Sequence, residues 1–198
     1  MITSNKICSE GAEYMKYINR SYPEFAACGL NCGLCPRYYT SGSSRCPGCA
    51  GEGFSDVHPP CGVLSCSQRK GFEYCFECDE FPCKKYDGDD QVDSFITHKN
   101  QFLDMEKAKR LGIEAYKTEL NEKIGILKEL LENYDDGRRK GFYCLAVNLL
   151  ELIDVKAVME QISETVDNAV PIKEKAKIVA SLFEKKAEKK GIILKLRK

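Results

Sequence analysis

The distribution of cysteine is the strongest constraint on this chain. Ten of the 12 cysteines lie between Cys28 and Cys83, and only Cys8 and Cys144 stand outside that stretch. Cysteine at this density indicates a disulfide framework or a metal-binding module, and the redox compartment decides between them. The opening residues, MITSNKICSEGAEYMKY, lack the apolar segment of a secretory signal. We therefore expect a cytoplasmic protein with reduced thiols, which favours metal binding over disulfides.

Three Cys-x-x-Cys pairs occur within the cysteine-rich stretch. Two residues between the thiols let the backbone turn so that both sulfurs reach one ion, at about 2.3 Å for zinc. Two such pairs complete a tetrahedral site. The pairs are Cys32/Cys35, Cys46/Cys49 and Cys75/Cys78. Because sites made of four cysteines are typical of structural zinc, zinc is the expected cofactor.

The spacing indicates a set of metal ligands but leaves their pairing open. The predicted ligands are Cys28, Cys32, Cys35, Cys46, Cys49, Cys61, Cys66, Cys75, Cys78 and Cys83. In a sequential pairing, one ion takes Cys32, Cys35, Cys46 and Cys49, and a second takes Cys61, Cys66, Cys75 and Cys78. That pairing predicts two zinc ions per chain and leaves Cys28 and Cys83, with His58 as a further candidate ligand, for a third site. An interleaved pairing fits the spacing equally well.

Iron is the alternative metal. Cys28, Cys32 and Cys35 form C-x3-C-x2-C, the triplet that holds a 4Fe–4S cluster in radical S-adenosylmethionine enzymes. Those enzymes need a barrel of alternating strands and helices, which neither the length nor the periodicity of this chain supplies. Thiolates suit either metal. An iron–sulfur or reactive-thiolate redox enzyme is therefore the alternative function.

Hydrophobic periodicity divides the chain into a lead-in at residues 1–27, a cysteine-rich module at 28–86 and a helical domain at 87–198. The module lacks long hydrophobic periodicity, so only short helices at 36–40, 62–70 and 81–86 are expected, and metal is needed to staple it. A brief helix is expected near residues 12–18 of the lead-in. The helical domain predicts helices at 94–111, 113–134, 142–153, 155–166 and 171–190, and then a short strand at 192–196. The predicted fold class is mainly α, with an irregular metal-stapled module packed on a helical bundle.

Side-chain patterns add detail to the helical domain. The helix at 142–153 is apolar nearly all round, which places it at the centre of the core. Asp93 or Ser94 is expected to cap the first helix, with Phe95 directed inward, and Asp154 is expected to cap the fourth. No apolar run approaches the ~20 residues that a membrane span needs.

The run from Ala27 to Tyr86 contains an ordered series of motifs: CGLNCGLCPRY, CPGC and CGVLSCSQRKGFEYCFECDEFPCKKY. On these motifs the chain resembles a cysteine-rich prokaryotic family of unknown function, numbered 3795. The stretch LLENYDDGRRKGFYCLA, from Leu130 to Ala146, is similar to a helical extension found in some members. The resemblance implies a zinc-binding module and brings no established activity.

A sharp switch of charge lies between two apolar helices, at Asp135-Asp136-Gly137-Arg138-Arg139-Lys140. The simpler interpretation is a solvated turn closed by Gly137. The alternative is a pocket in which Arg138 and Arg139 hold an anion bidentately beside Tyr143. The sequence leaves both open.

The chain lacks the common signatures of hydrolases, nucleotide-binding enzymes and zinc proteases. We therefore expect a zinc protein without catalytic activity that acts by binding a partner, an unknown protein or a small ligand. From Lys173 onward ten Lys and Arg stand against three Glu, so a nucleic-acid adaptor that uses this basic tail is a further alternative. The tail keeps helical periodicity and the cysteine-rich module is not basic, which disfavours nucleic acid.

Overall fold

A computed structural model describes residues 18–88, 91–167 and 169–198. Cys8 and nearly all of the helix expected at 12–18 lie outside these residues. The described residues contain no β-strand, and their regular structure is helical throughout. None of these helices has both the length and the apolar character required to cross a membrane.

The cysteine-rich half consists of loops, five 3-10 turns and two short α-helices, α1 (Phe54–Val57) and α2 (Gly62–Lys70). The helix predicted at 62–70 is confirmed. It ends where Gly71 adopts φ 78°, a left-handed conformation that glycine takes without steric cost. The 3-10 turns are Cys32–Leu34, Pro36–Tyr39, Gly42–Ser44, Cys75–Glu77 and Lys84–Tyr86. Two of these turns lie within the helices predicted at 36–40 and 81–86, which are therefore shorter and tighter than expected.

The remaining described residues contain five longer helices. They are α3 (Gln101–Leu111), α4 (Ile113–Asn133), α5 (Lys140–Leu149), α6 (Leu152–Thr165) and α7 (Ile172–Lys189). Their number and order follow the hydrophobic periodicity of the sequence. The prediction of a mainly α fold, with a cysteine-rich N-terminal part and a helical C-terminal part, is confirmed.

The start of α3 differs from the sequence prediction because Asp93 has other partners. Its carboxylate accepts hydrogen bonds from Arg197 Nη2 at 2.8 Å and from the amide of His98 at 2.8 Å. Burial alone would raise the pKa of Asp93. Hydrogen bonds from the Arg197 side chain and from the amides of His98 and Arg197 outweigh this effect and lower the pKa to about 2. Asp93 therefore fastens the C-terminal segment instead of capping a helix. Phe95, expected inside, is 63 % exposed.

Two other local predictions are wrong for similar reasons. Asp154 lies inside α6, where it pairs with Lys190 Nζ at 3.0 Å, so it does not cap that helix. The strand expected at 192–196 is absent from the described residues because no neighbouring strand is available to pair with it. The Lys99 ammonium binds the carbonyls of Ile193 and Lys195 instead, at 3.0 and 2.9 Å.

One hydrophobic core joins the cysteine-rich half to the helices. Helix α5 is at its centre, as its apolar sequence predicts, with Tyr143, Val147 and the adjoining Leu150 fully buried. Phe25 and Leu34 from the cysteine-rich half belong to the same cluster. Residues near Phe25 were assigned to the lead-in from sequence, but they pack as core. The cysteine-rich half and the helices therefore share one hydrophobic core.

A buried polar network reinforces this joint, and Asn31 is at its centre. Its amide donates to Asp104 Oδ2 at 2.8 Å and to Asn148 Oδ1 at 3.1 Å, and its carbonyl accepts from the Tyr116 hydroxyl at 2.9 Å. These partners lie on α3, α5 and α4 respectively. Beside them Gln101 Nε2 donates to the carbonyl of Cys28 at 2.9 Å. One side chain from the cysteine motif thus connects to three helices.

We expect Asn31→Ala to lower the free energy of unfolding by about 2–4 kcal/mol, because buried groups of Tyr116 and Asp104 lose their partner. Asn133→Ala, at an exposed helix end, is the matched control and should cost less than about 0.5 kcal/mol. Chemical denaturation followed by circular dichroism measures both. Equal effects of the two substitutions would contradict the role assigned to Asn31.

Asp104 should make stability depend on pH. Burial raises the pKa of Asp104 to about 6, against the opposing effect of Lys123. The folded carboxyl therefore binds a proton that the unfolded carboxyl, with a pKa near 3.9, does not bind between these values. As the pH falls from 7 to 4, the wild type should gain up to about 3 kcal/mol of stability relative to Asp104→Asn. Denaturation curves at several pH values test this, and parallel profiles for the two proteins would contradict it.

Candidate metal centre

Four cysteines line one small cavity and form what we call the four-thiol group: Cys66, Cys75, Cys78 and Cys83. The cavity has a volume of about 100 Å³, and its lining also includes apolar side chains such as Phe72 and Phe81. Helix α2 supplies Cys66, and Cys75 and Cys78 bracket a 3-10 turn in which the Cys78 amide donates to the Cys75 carbonyl at 3.1 Å. The ammonium of Lys70 lies 3.6 Å from Cys78 Sγ. A cation therefore stands beside these thiols.

We call the other six clustered cysteines the six-thiol group: Cys28, Cys32, Cys35, Cys46, Cys49 and Cys61. Within it, Cys28, Cys32, Cys49 and Cys61 pack in one cluster with Phe54 and Leu64. The Cys35 amide donates to the Cys32 carbonyl at 3.1 Å. Burial raises the pKa of Cys32, and the Cys35 and Cys46 thiols contribute to that rise. The Cys75 amide donates to the Ala27 carbonyl at 2.9 Å, which sets the two groups side by side.

This grouping differs from the sequential pairing of the cysteines. Cys83 lies with Cys66, Cys75 and Cys78, in the position that the sequential pairing gave to Cys61. Cys61 lies instead with Cys28 and Cys49. The set Cys32, Cys35, Cys46 and Cys49 remains within one group.

Backbone amides are directed at several of the thiols. The Leu64 amide donates to Cys61 Sγ at 3.5 Å, at the start of α2. Burial raises the pKa of Cys28, Cys35 and Cys49, and an amide donor opposes that rise at each of them. N–H donors of this kind stabilise sulfur in its anionic form, which is the form that binds metal.

Among the buried side-chain donors that have no acceptor within the described part of the chain, two stand beside a thiol. The Arg20 side chain is 6 % exposed, its Nε is unpartnered, and its charge lowers the pKa of Cys49 against the effect of burial. The buried Tyr86 hydroxyl is likewise unpartnered. Burial raises the pKa of Cys75 to about 11, and the adjacent Tyr86 lowers it. A thiolate at Cys49 and at Cys75 would supply the acceptors that these two donors lack.

None of the described cysteines forms a disulfide. Among the described residues, no three or more His, Cys, Asp or Glu side chains are arranged as a metal-binding site. The donor set nevertheless fits a thiophilic metal, because thiols, amide donors and unpartnered buried donors converge at both groups. Metal binding would require the sulfurs to lose their protons and move closer together.

The remaining candidate ligand, His58, lies at the edge of this region. Its ring is exposed and stacks on Phe54 with the centroids 4.4 Å apart. Its Nδ1 lies 2.7 Å from the carbonyl oxygen of Pro59. His58 is therefore oriented by its own loop, and its role as a ligand stays a prediction.

The predicted anion site lies away from the cysteines. Tyr143 is fully buried and its hydroxyl donates to the Tyr134 carbonyl at 2.9 Å. The Asp135 carboxylate accepts from the amides of Gly137 and Arg139 at 3.0 and 2.8 Å, which closes the turn before α5. Arg138 is exposed. This geometry explains the charge switch as a turn, and anion binding by Arg138, Arg139 and Tyr143 stays a prediction.

Three residues important to this region had no clear signal in the sequence. Asn31 lies inside the CGLNC motif, and its position between two cysteines was the one sequence feature that pointed to it. Arg20 and Tyr86 flank the motifs, and only the tertiary structure brings them to Cys49 and Cys75. Cys144 is buried on α5, as its apolar context predicts.

Comparison with known families gives one result. Residues 24–88 match the model of a family described as "Protein of unknown function (DUF3795)". This match confirms the resemblance read from the motifs, and it spans all ten clustered cysteines. Searches among curated proteins and among solved structures found no match for the chain.

The Tyr86 hydroxyl should affect the metal-bound and the metal-free protein in opposite ways. We expect Tyr86→Phe to weaken zinc binding about tenfold or more, because a hydrogen bond to a ligand thiolate is lost. Stability of the metal-free protein should stay equal or rise, because an unsatisfied buried hydroxyl is removed. Competition with a chromophoric chelator measures the zinc affinity.

Tyr74→Phe is the matched control for this substitution. Its hydroxyl is also buried and unpartnered among the described residues, but its charged neighbours are Arg20 and Glu73. It should leave zinc affinity unchanged. A similar loss of affinity in both variants would show that the effect of Tyr86 is a general packing effect.

Proposed function

We propose that the clustered cysteines bind structural zinc and that the protein acts by binding a partner, without catalysis. All ten of these cysteines lie within residues 24–88, the part of the chain that matches the DUF3795 family model. One observation supports this most directly. In each thiol group, a buried donor without an acceptor lies beside a cysteine: Arg20 Nε beside Cys49, and Tyr86 Oη beside Cys75. If these cysteines became thiolates, their sulfurs would accept hydrogen bonds from the two donors.

A structural role for the metal follows from the architecture of the cysteine-rich half. Its regular structure is limited to single turns and two short helices, so backbone hydrogen bonding and apolar burial alone stabilise it weakly. Zinc bound to thiolates contributes directly to the free energy of folding. Because Asn31, Phe25 and Leu34 join this half to the helices, that contribution extends to the whole chain.

The choice of zinc over iron rests on the ligands and the fold. Two complete Cys-x-x-Cys pairs lie in the six-thiol group and one lies in the four-thiol group, which is typical of structural zinc. The radical S-adenosylmethionine alternative needs a barrel with strands, and the described residues contain none. Iron bound in another way is an outcome that the test below can detect.

A cleft beside the joint supports the proposed partner-binding role. It has a volume of about 420 Å³, and apolar side chains of Leu34, Phe95, Phe142 and Leu194 line it. Polar groups of Asn148, Lys195 and Lys198 lie at the same cleft. A concave apolar surface with few polar groups suits a small ligand or a peptide side chain.

The basic tail gives little support to the nucleic-acid alternative. Helix α7 buries Val179 and Phe183 in the core, so residues 173–198 are a structural element of the bundle. Lys190 and Lys186 face Asp154 at 3.0 and 3.8 Å. Part of the positive charge is therefore balanced within the protein.

Metal analysis tests the proposed function. Protein purified without oxygen should be colourless and contain zinc, and a chelator should unfold both halves in parallel with zinc release. Cys78→Ser should lose zinc, whereas Cys144→Ala, a thiol outside both groups, should retain the full amount. Elemental analysis and circular dichroism give these readouts.

Two results would contradict the proposal. Iron with acid-labile sulfide and a broad visible absorption band would replace zinc by an iron–sulfur centre. Metal-free protein that keeps the same thermal stability with and without added zinc would remove the structural role altogether.

A further inference from the structure

We infer that the cleft between α5 and the C-terminal segment, residues 192–198, binds a small apolar molecule that ends in a carboxylate. We call it the α5 cleft. The inference rests on the partner-binding part of the proposed function and adds the chemical class of the ligand. It does not depend on the metal.

The walls of the α5 cleft are mainly apolar. Its volume of about 420 Å³ falls in the range of small-molecule sites. The apolar side chains come from the cysteine-rich half, the loop before α3, α5 and the C-terminal segment, and they include Leu34, Phe95, Phe142, Leu145, Leu194 and Leu196. The body of a ligand that fits this cleft is therefore apolar.

The C-terminal wall of the cleft is held in place by polar contacts. Arg197 donates to Asp93 through its Nη2 at 2.8 Å and through its amide at 2.7 Å. The Lys99 ammonium binds the carbonyls of Ile193 and Lys195. Because these contacts fix the wall before a ligand arrives, binding avoids the entropic cost of ordering it.

Two buried side chains at the cleft each retain a hydrogen-bond donor. Asn148 is 3 % exposed, and its Oδ1 accepts from Asn31 Nδ2, but its own Nδ2 donates to no group among the described residues. The buried Thr97 hydroxyl accepts from the Lys99 amide at 3.2 Å and donates to no group in the same part of the chain. Asn100 Nδ2 donates to the Asn148 carbonyl at 3.1 Å, which joins the loop of Thr97 to α5. A ligand with acceptor oxygens would satisfy both donors.

The charge at the cleft favours an anionic acceptor. The charged side chains that line it, among the described residues, are those of Lys195 and Lys198. Both lysines are exposed, whereas Asn148 and Thr97 are buried. Two oxygens of one carboxylate match the two uncharged donors, and the ammonium groups complement its negative charge.

Titration calorimetry of the full chain with decanoate tests the inference. We expect one decanoate to bind per chain. Decan-1-ol has the same apolar body without the charge and should bind about tenfold more weakly or worse, because hydrogen bonds to a charged group are lost. Decylamine should show no binding, since its ammonium meets donors and lysines. Equal affinities for decanoate and decan-1-ol would overturn the assignment of a carboxylate.

Gly141→Leu tests the location of the ligand. Gly141 lines the cleft on α5, and no atom from outside the local helix lies within 4 Å of an added Cβ, so the helix accepts leucine while the cleft narrows. Gly125→Leu is the matched control, because Gly125 lies on α4 with the same open space and does not line the cleft. The first substitution should weaken decanoate binding about tenfold or more, and the second should leave it unchanged. Equal affinities in the two variants would overturn the inference.

Lys195→Gln tests the charge at the cleft. The Lys195 carbonyl, and not its ammonium, binds Lys99, so the substitution keeps the segment in place. Affinity for decanoate should fall about two- to fivefold, the size expected for an exposed ion pair, while affinity for decan-1-ol stays the same. Lys189→Gln, exposed on α7 and away from the cleft lining, should change neither. An equal fall in both variants would overturn the role of Lys195.

Zinc content of the same samples separates this inference from the metal proposal. Folded, zinc-loaded protein that does not bind decanoate would overturn the inference and leave the metal proposal standing. Decanoate binding by protein without zinc would support the inference although the metal proposal fails. Binding of a peptide with an apolar C-terminal residue, without binding of decanoate, would overturn the choice of a small molecule.

Discussion

The side chain of Asn31 connects the two halves of this protein. It lies between Cys28 and Cys32 and forms buried hydrogen bonds to groups on three helices. Tyr116 and Asn148 are buried and Asp104 is half-buried, so each would lose compensation for leaving water if Asn31 moved. The position of the CGLNC loop, and with it the first thiols of the six-thiol group, therefore depends on the helical bundle, and the bundle depends on the loop.

Burial of thiols imposes a second constraint. Burial raises the pKa of five of the ten clustered thiols, those of Cys28, Cys32, Cys35, Cys49 and Cys75. Amide donors, Arg20, Arg37 and Tyr86 act in the opposite direction at several of them. The buried Arg20 Nε and the buried Tyr86 hydroxyl lack acceptors, which is costly in a protein of neutral thiols. If the thiols were anionic and bound to a metal, Arg20 and Tyr86 would donate hydrogen bonds to the thiolates, and the cost of burying these donors would be offset.

Much of the fold was predictable from sequence. The apolar spacing of Leu120, Ile124 and Leu127 predicted α4, and the all-round apolar sequence around Val147 predicted a central α5. Helix boundaries were less predictable where side chains had distant partners. Asp93 and Asp154 looked like caps by position, but Arg197 and Lys190, far away in sequence, hold them in ion pairs.

Sequence by itself determined the ten-cysteine set, the DUF3795 resemblance and the helical class, because thiol spacing and hydrophobic periodicity are local properties of the chain. The tertiary structure alone decided how the thiols divide into groups of six and four. It also brought Arg20, Arg37 and Tyr86 to them. Such proximities arise from chain segments packing on a common core, and distance along the sequence carries no record of that packing.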